Sequence, residues 1–230
     1  MGQESIKAII NDPDLDLVAQ ADLNDDLTKI INQSKAQVVL DFTNANVVMD
    51  IAVSIIKSGA RPVIGTSGLL LPQINQLQNL CRENKIGGVI APNFAIGAVL
   101  MMKYSQDAAK YLPNAEIVEL HHDGKIDAPS GTAIKTANLI SKARKNISIN
   151  TLEKETITGS RGGDFEGIRI HSVRLPGLVA HQEVIFGSQS QTLTIRHDSI
   201  HRESFMPGVC LACKKVMGLD DLVYGLEYLL

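Results

Sequence analysis

Two histidines, a lysine and a hydroxyl-rich turn crowd together in the segment Glu119-Leu120-His121-His122-Asp123-Gly124-Lys125-Ile126-Asp127-Ala128-Pro129-Ser130-Gly131-Thr132-Ala133. An imidazole titrates near neutral pH and a nearby ammonium stabilises negative charge. His121 and Lys125 therefore suit proton delivery to a developing carbanion or nitrogen. Ser130, Gly131 and Thr132 read as the opening of a helix, where the leading N–H groups have no internal acceptor and suit a carboxylate or phosphate. The bland alternative is a plain cap, with Ser130 as the N-cap and Pro129 in the first turn. Capping alone does not call for two histidines and a lysine just upstream, so the anion site is the stronger reading. Metal ligation by His121, His122, Asp123 and Asp127 is disfavoured, because adjacent side chains diverge and no helix carries histidines at i and i+4. A serine nucleophile would want a G-x-S-x-G elbow, which is absent, although Gly65-Thr66-Ser67-Gly68 copies part of it.

The charge distribution points to the same half of the chain. All six histidines lie between His121 and His201, and between Lys125 and Arg174 nine Lys or Arg stand against five Asp or Glu, in a chain of net charge −3. Positive charge gathered in an acidic protein suggests an anionic ligand there, with a solvated charged face as the alternative. The mild acidity and the absence of Trp argue against nucleic acid as a partner. No apolar run approaches the ~18 residues of a membrane span, and no basic-plus-apolar leader is seen, so the expected location is the cytoplasm. Cys81, Cys210 and Cys213 do not make a disulfide framework. The Cys210-x-x-Cys213 pair lacks a second ligand pair for zinc and reads as buried apolar packing.

These residues need a scaffold, and the periodicity supplies one. Helical spacing at Ile6, Ile9 and Ile10 ends at Asp12-Pro13, followed by an expected strand from Leu15 to Ala21. Helices over Asp25 to Gln33, Ala45 to Lys57 and Gln73 to Glu83 then alternate with short apolar strands at Val38 to Leu40, Pro62 to Ile64 and Ile86 to Ala91. That alternation predicts a parallel sheet covered on both faces, with ligands at the carboxyl ends of its strands. Those ends are Asp22, Asp41-Phe42-Thr43, Gly65-Thr66-Ser67 and Ala91-Pro92-Asn93. After a long helix, Ala95 to Tyr111, the strands lengthen and alternate: Glu116 to Leu120, Ile168 to Val173, Leu178 to Phe186 and Gln191 to His197. This predicts a mixed, open sheet in an α+β unit, with one face solvated or reserved for a partner. Glu153 to Glu166 reads as a mobile loop. Ser204 to Met217 and Leu219 to Leu230 read as helices returning to the first domain. The expected domains are 1–94 with 202–230, and 95–201.

The Glu119 to Ala133 segment resembles the signature of the dihydrodipicolinate reductases. Val39-Leu40-Asp41-Phe42-Thr43, Val63-Ile64-Gly65-Thr66-Ser67-Gly68 and Ala91-Pro92-Asn93-Phe94-Ala95-Ile96-Gly97 follow in the matching order. The resemblance implies an α/β Rossmann-like cofactor domain joined to a substrate-binding and tetramerisation domain, and hydride transfer from NADH or NADPH to a cyclic imine-type dicarboxylate. It implies His121 as proton donor and Lys125 as the second catalytic group, with His122, Ser130, Gly131 and Thr132 at the substrate carboxylates. It also implies Asp22 at the adenosine ribose, and Gly65, Thr66, Ser67, Ala91, Pro92, Asn93 and Phe94 around the nicotinamide half. An acidic Asp22 with no basic residue directly after it (Leu23, Asn24) favours NADH. A homotetramer is implied. The family pattern opens with a strand and a glycine-rich loop ending in a basic residue, Met and Gly. Met1-Gly2 matches only the end of that loop, so a chain beginning there is expected to grip the cofactor pyrophosphate weakly. The alternative function is a non-catalytic or impaired form that keeps the dicarboxylate site.

Overall fold

The computed structural model describes residues 1–22, 24–145 and 154–230. They divide into two units, Met1–Ile96 with Arg202–Leu230, and Gly97–His201.

In the first unit, α1 (Gly2–Asn11) and α2 (Leu27–Ser34) precede β1 (Val38–Asp41), α3 (Val48–Lys57), β2 (Arg61–Ile64), α4 (Leu71–Asn84) and β3 (Gly88–Ile90). The strands are short and mostly apolar: β2 is buried from Pro62 to Ile64 and β3 along its whole length. Such strands need cover on both faces. Part of that cover is a core in which Ala52, Ile55 and Ile56 of α3, Ile74 and Leu77 of α4, Ile64 of β2 and Ile90 of β3 pack together. Each large aliphatic side chain buried this way contributes about 1.5–3 kcal/mol. All strand pairs are parallel, in the order β1-β2-β3-β9, where β9 (Leu222–Tyr224) comes from the end of the chain.

Three expectations need correction here. Leu219 to Leu230 is not a helix: β9 pairs with β3, and a short 3-10 turn over Leu226–Leu229 follows. The ladder to β3 and the burial of Leu222 decide the conformation over local helical spacing, and Gly225, at φ 126°, turns the chain out of the strand. Leu15 to Ala21 runs without regular structure; Leu15, Leu17 and Ala19 are half-buried and their neighbours exposed, yet no ladder partner is found among the described residues. Alternation alone does not make a strand. The face of α1 is also shifted, since Ser5 is its buried residue, with its hydroxyl donated to the Met1 carbonyl, while Ile10 is 63% exposed.

The chain returns to this unit through α7 (Met206–Lys215). Gly208 has no room for a side chain, because a Cβ there would overlap the Phe94 carbonyl, so α7 lies directly on the loop that leaves β3. Cys81, Cys210 and Cys213 are buried and unpaired. Burial pushes the Cys81 and Cys213 thiols up to about 12, so both stay protonated and inert.

The second unit contains most of α5 (Ile96–Ala109), then β4 (Asn114–His121), α6 (Gly131–Ala143), β5 (Gly163–Phe165), β6 (Ile168–Arg174), β7 (Ala180–Ser188) and β8 (Gln191–Ser199). The sheet order is β5-β6-β4-β7-β8; β4 and β6 are parallel and the other pairs antiparallel. Period-two alternation sends Ala115 and Ile117 of β4, Ile168 and Ile170 of β6, and Val184 and Phe186 of β7 into one core with Ala133, Ala137 and Ile140 of α6. The expected loop from Glu153 to Glu166 contains β5 at its end, held against β6. Glu153 itself lies outside the described residues.

Candidate active site

β4 delivers its last residue, His121, to the end of the sheet, and a turn follows in which the Lys125 N–H donates to the His122 carbonyl at 3.1 Å. The loop passes through a cis Ala128–Pro129 peptide and enters α6 at Ser130. Ser130 is 3% exposed and is the N-cap, its Oγ accepting the Ala133 N–H at 3.2 Å. That cap leaves the hydroxyl proton available to a ligand. Pro129 stands before the cap rather than in the first turn. Gly131 is exposed and Thr132 half-buried at the opening of the helix, where anions are favoured by unsatisfied N–H groups and the dipole.

The centre of the cluster is a residue whose role the sequence did not disclose. Glu119 is fully buried, and its Oε2 lies 2.5 Å from His121 Nδ1. Arg174, at the end of β6, grips the same carboxylate through both nitrogens, Nη1 to Oε2 at 2.9 Å and Nη2 to Oε1 at 2.8 Å. The Ser130 N–H adds a bond to Oε1 at 3.3 Å, and Arg174 also donates to the Asp127 carbonyl at 2.6 Å. Lys125 pairs with Asp127, Nζ to Oδ1 at 2.6 Å.

These contacts set the charges. Burial alone would raise the Glu119 carboxyl, but hydrogen bonds from Arg174, Ser172 and His121 outweigh it and hold the group below the usual carboxylate range. Burial pushes His121 below the ordinary histidine value; Glu119 opposes that, while the charges of Lys125 and Arg174 add to it. His121 is therefore mostly neutral at pH 7 without a ligand. Part of the basic excess between Lys125 and Arg174 is tied up in pairs: Lys125 with Asp127, Arg161 with Glu116, Arg169 with Asp164 and Arg174 with Glu119.

A polar row crosses the sheet beside this centre. Register places Ser172, Glu119, Gln182 and His197 in line on β6, β4, β7 and β8. Gln182, 4% exposed, donates from Nε2 to Thr136 Oγ1 at 2.8 Å, and Thr136 donates on to the Thr132 carbonyl at 2.7 Å. The row thus braces the first turn of α6. Glu119 was legible in principle, since residues two apart in a strand share a face. Arg174 and Gln182 were not, because only the strand register brings them there. Among the described residues, no three His, Cys, Asp or Glu side chains are grouped to hold a metal ion.

The other candidate residues belong to the first unit. Gly65, Thr66 and Ser67 follow β2, and Ala91, Pro92, Asn93 and Phe94 follow β3, at the carboxyl ends of parallel strands. Asp41, 3% exposed, ties two of these loops, accepting Thr43 Oγ1 at 2.7 Å and Thr66 Oγ1 at 2.5 Å. The Phe42 and Phe94 rings meet edge to face, centroids 5.7 Å apart, and a Cβ at Gly65 would overlap Phe42. Ala91 and Phe94 have buried side chains, leaving their backbone and the half-buried Thr66 and Asn93 to meet a ligand. Asp22 is exposed, its N–H bonded to Asp25 Oδ2 at 2.7 Å. Hydroxyls, an amide and a glycine at the ends of parallel strands fit a dinucleotide, whereas Asp22 follows a stretch without regular structure. Gly65→Val should displace Phe42 and lower the melting temperature, read by thermal unfolding.

The family profile described as dihydrodipicolinate reductase, N-terminus, matches residues 1–94, and the one described as the C-terminus of the same enzyme matches residues 97–230. The chain belongs to the dihydrodipicolinate reductase family. It is accordingly a nicotinamide-dependent oxidoreductase. Among curated relatives of the family, the 4-hydroxy-tetrahydrodipicolinate reductase of Coxiella burnetii is 53% identical over 230 residues, covering 100% of this chain and 95% of its own length. That of Legionella pneumophila is 50% identical with the same coverage, 100% and 95%. The solved, dipicolinate-bound dihydrodipicolinate reductase of Paenisporosarcina sp. TG-14 superposes with a TM-score of 0.93 at 44% identity, over 100% of this chain and 95% of that one. The C. glutamicum DAP dehydrogenase, at 13% identity and a TM-score of 0.52, shares the fold alone. None of these matches favours the non-catalytic alternative.

Proposed function

We propose that this reductase converts 4-hydroxy-tetrahydrodipicolinate to tetrahydrodipicolinate on the diaminopimelate route to lysine. The observation that carries this reading is the half-buried His121, held by Glu119 beside Lys125 and the N-terminus of α6. The full-length match to relatives named for that substrate supports it. The bound nicotinamide supplies the hydride. The 4-hydroxyl and a neighbouring C–H proton leave the ring as water, and His121 returns one proton to the ring as the hydride arrives, which balances the reduction. Lys125, His122, Ser130 and the Gly131-Thr132 backbone hold the two carboxylates, as the dipicolinate held by a solved relative suggests. His121 Nε2 is the atom that faces the reacting ring, since Nδ1 is engaged by Glu119.

Residues 1–94 with 202–230 would form the cofactor domain and 95–201 the substrate domain. Gly65, Thr66, Ser67 and the Ala91 to Phe94 loop would hold the nicotinamide half, and Asp22 the ribose diol. A carboxylate at that position repels a 2′-phosphate, so NADH is preferred over NADPH. Steady-state consumption of each cofactor, with substrate generated in situ, tests the reading. No substrate-dependent oxidation of either cofactor would refute it.

Because His121 is held neutral, a dianionic ligand arriving beside it should raise its pKa and draw in a proton. Titration calorimetry of dipicolinate at pH 7, in two buffers of different ionisation enthalpy, should show an uptake approaching one proton. Equal apparent enthalpies in both buffers would contradict it.

The homotetramer is proposed through the sheet face opposite α6. There the half-buried Val118, Leu120, Val173 and Ile185 are flanked by the Glu116–Arg161–His171 and Glu183–Arg196–Asp198 ion pairs. Light scattering after gel filtration should give four times the chain mass, and Val118→Glu should reduce it. Cytoplasmic location belongs to the same proposal. No helix among the described residues is long and apolar enough to cross a membrane.

A further inference from the structure

The buried Glu119 carboxylate meets His121, the α6 N-terminus and, through Arg174, the Lys125–Asp127 loop. A carboxylate excluded from water is strongly destabilising unless it is paired and fully hydrogen-bonded. Capping α6 does not need it, because Ser130 Oγ already performs that task. What the carboxylate does beyond stability is decide which nitrogen of the imidazole carries the proton. We infer that Glu119, clamped by Arg174, is the positioning residue of the reductase: it fixes His121 with its proton on Nδ1 and so directs Nε2 at the substrate.

This inference rests on the reading of His121 as proton donor and adds the part that makes the donor work. In the resting protein the neutral imidazole donates Nδ1–H to Glu119 Oε2. On uptake of a proton the ring gains Nε2–H, which is the hydrogen delivered to substrate, and the ring returns to the Nδ1–H tautomer. Glu119 keeps its negative charge throughout, because Arg174 neutralises it through two hydrogen bonds. The ring therefore has one orientation and one tautomer to return to after each turnover.

The groups facing this pair come from every neighbouring element. Ser172 and Arg174 belong to β6, and Gln182 stands opposite Glu119 on β7. Lys125 and Asp127 belong to the loop, and Ser130 opens α6. Glu119 is the carboxylate whose oxygen touches the imidazole, while Lys125 and Arg174 disfavour the imidazolium. Removing the Glu119 charge alone must therefore make His121 harder to protonate. A proton donor so altered loses activity at a lower pH than before.

Two experiments test this on the full chain. In the unmodified protein labelled with ¹⁵N-histidine, His121 at pH 8 should carry its proton on Nδ1, with the resonance assigned by its loss in His121→Ala. A neutral ring protonated on Nε2 would overturn the inference without any variant being made. In Glu119→Gln, kcat should fall about 10²-fold while KM for the substrate stays within about threefold, and the alkaline limb of kcat should move to lower pH. Should the unpaired Arg174 prevent folding, Glu119→Gln combined with Arg174→Gln keeps a neutral hydrogen-bonded pair, and a smaller shift in the same direction is expected, because the charge that disfavoured the imidazolium is lost as well. An unmoved limb with kcat within about twofold of the unmodified protein refutes the role of Glu119. His121→Ala, assayed alongside, separates the two claims. Activity retained there sinks proton delivery by His121, whereas activity lost there but intact in Glu119→Gln sinks only the positioning role.

Discussion

His121→Ala is expected to lower kcat by about 10²–10⁴-fold, the range that a positioned proton donor contributes. The dissociation constant for NADH should stay within about twofold of its starting value, since the proposed cofactor loops lie in the first unit and His121 in the second. The ring is 15% exposed, so its loss leaves a small cavity at the surface rather than a hole in the core. Dipicolinate should still bind, because Lys125 and the α6 N-terminus remain. What should vanish is the proton uptake on binding, as the group that takes up the proton is gone. Turnover, NADH titration and two-buffer calorimetry on the same preparation read these three effects separately. If kcat fell and proton uptake persisted, another group would be the donor.

The sequence carried the cluster but not its wiring. His121, Lys125 and Ser130-Gly131-Thr132 were legible because they follow one another along a strand, a turn and a helix start, where local geometry follows from local sequence. The parallel strands β1, β2 and β3 were legible for the same reason: continuous apolar runs bounded by small residues tolerate few other placements. Arg174 lies more than fifty residues from Glu119 along the chain, and only the parallel pairing of β4 with β6 sets them side by side. No local pattern encodes that register. β9 failed for a related reason, since Leu222-Val223-Tyr224 has helical neighbours in sequence and strand neighbours in space. The segment from Leu15 to Ala21 shows the converse: strand-like alternation without a ladder is an extended chain. The charge census misled in part, because counting basic residues cannot reveal that Arg161 already serves Glu116 and Arg174 serves Glu119.

The wiring has an energetic consequence that surface ion pairs lack. Arg174→Met should lower the free energy of unfolding at pH 8 by about 3–5 kcal/mol, because it leaves a buried carboxylate without its cation. The side chains of Arg174 and Glu119 are 18% and 0% exposed. The matched control is Arg82→Met, whose pairing with Asp221 is 56% and 41% exposed and should cost under about 1 kcal/mol. The pH dependence distinguishes this cause from lost packing. In the unmodified protein Glu119 is held below the ordinary carboxylate range, so its stabilisation is complete above that range and disappears as the pH falls through the lowered value. In Arg174→Met burial, which pushes the Glu119 carboxyl up, is no longer opposed by the arginine. His121, freed from the charge that disfavours its cation, protonates more readily and pairs with the stranded carboxylate. Both changes relieve the variant as the solution becomes acidic. The stability gap measured by urea unfolding should therefore be widest at pH 8 and narrow steadily below pH ~6. A gap that stayed constant across that interval would assign Arg174 a packing role and remove the charge from the explanation.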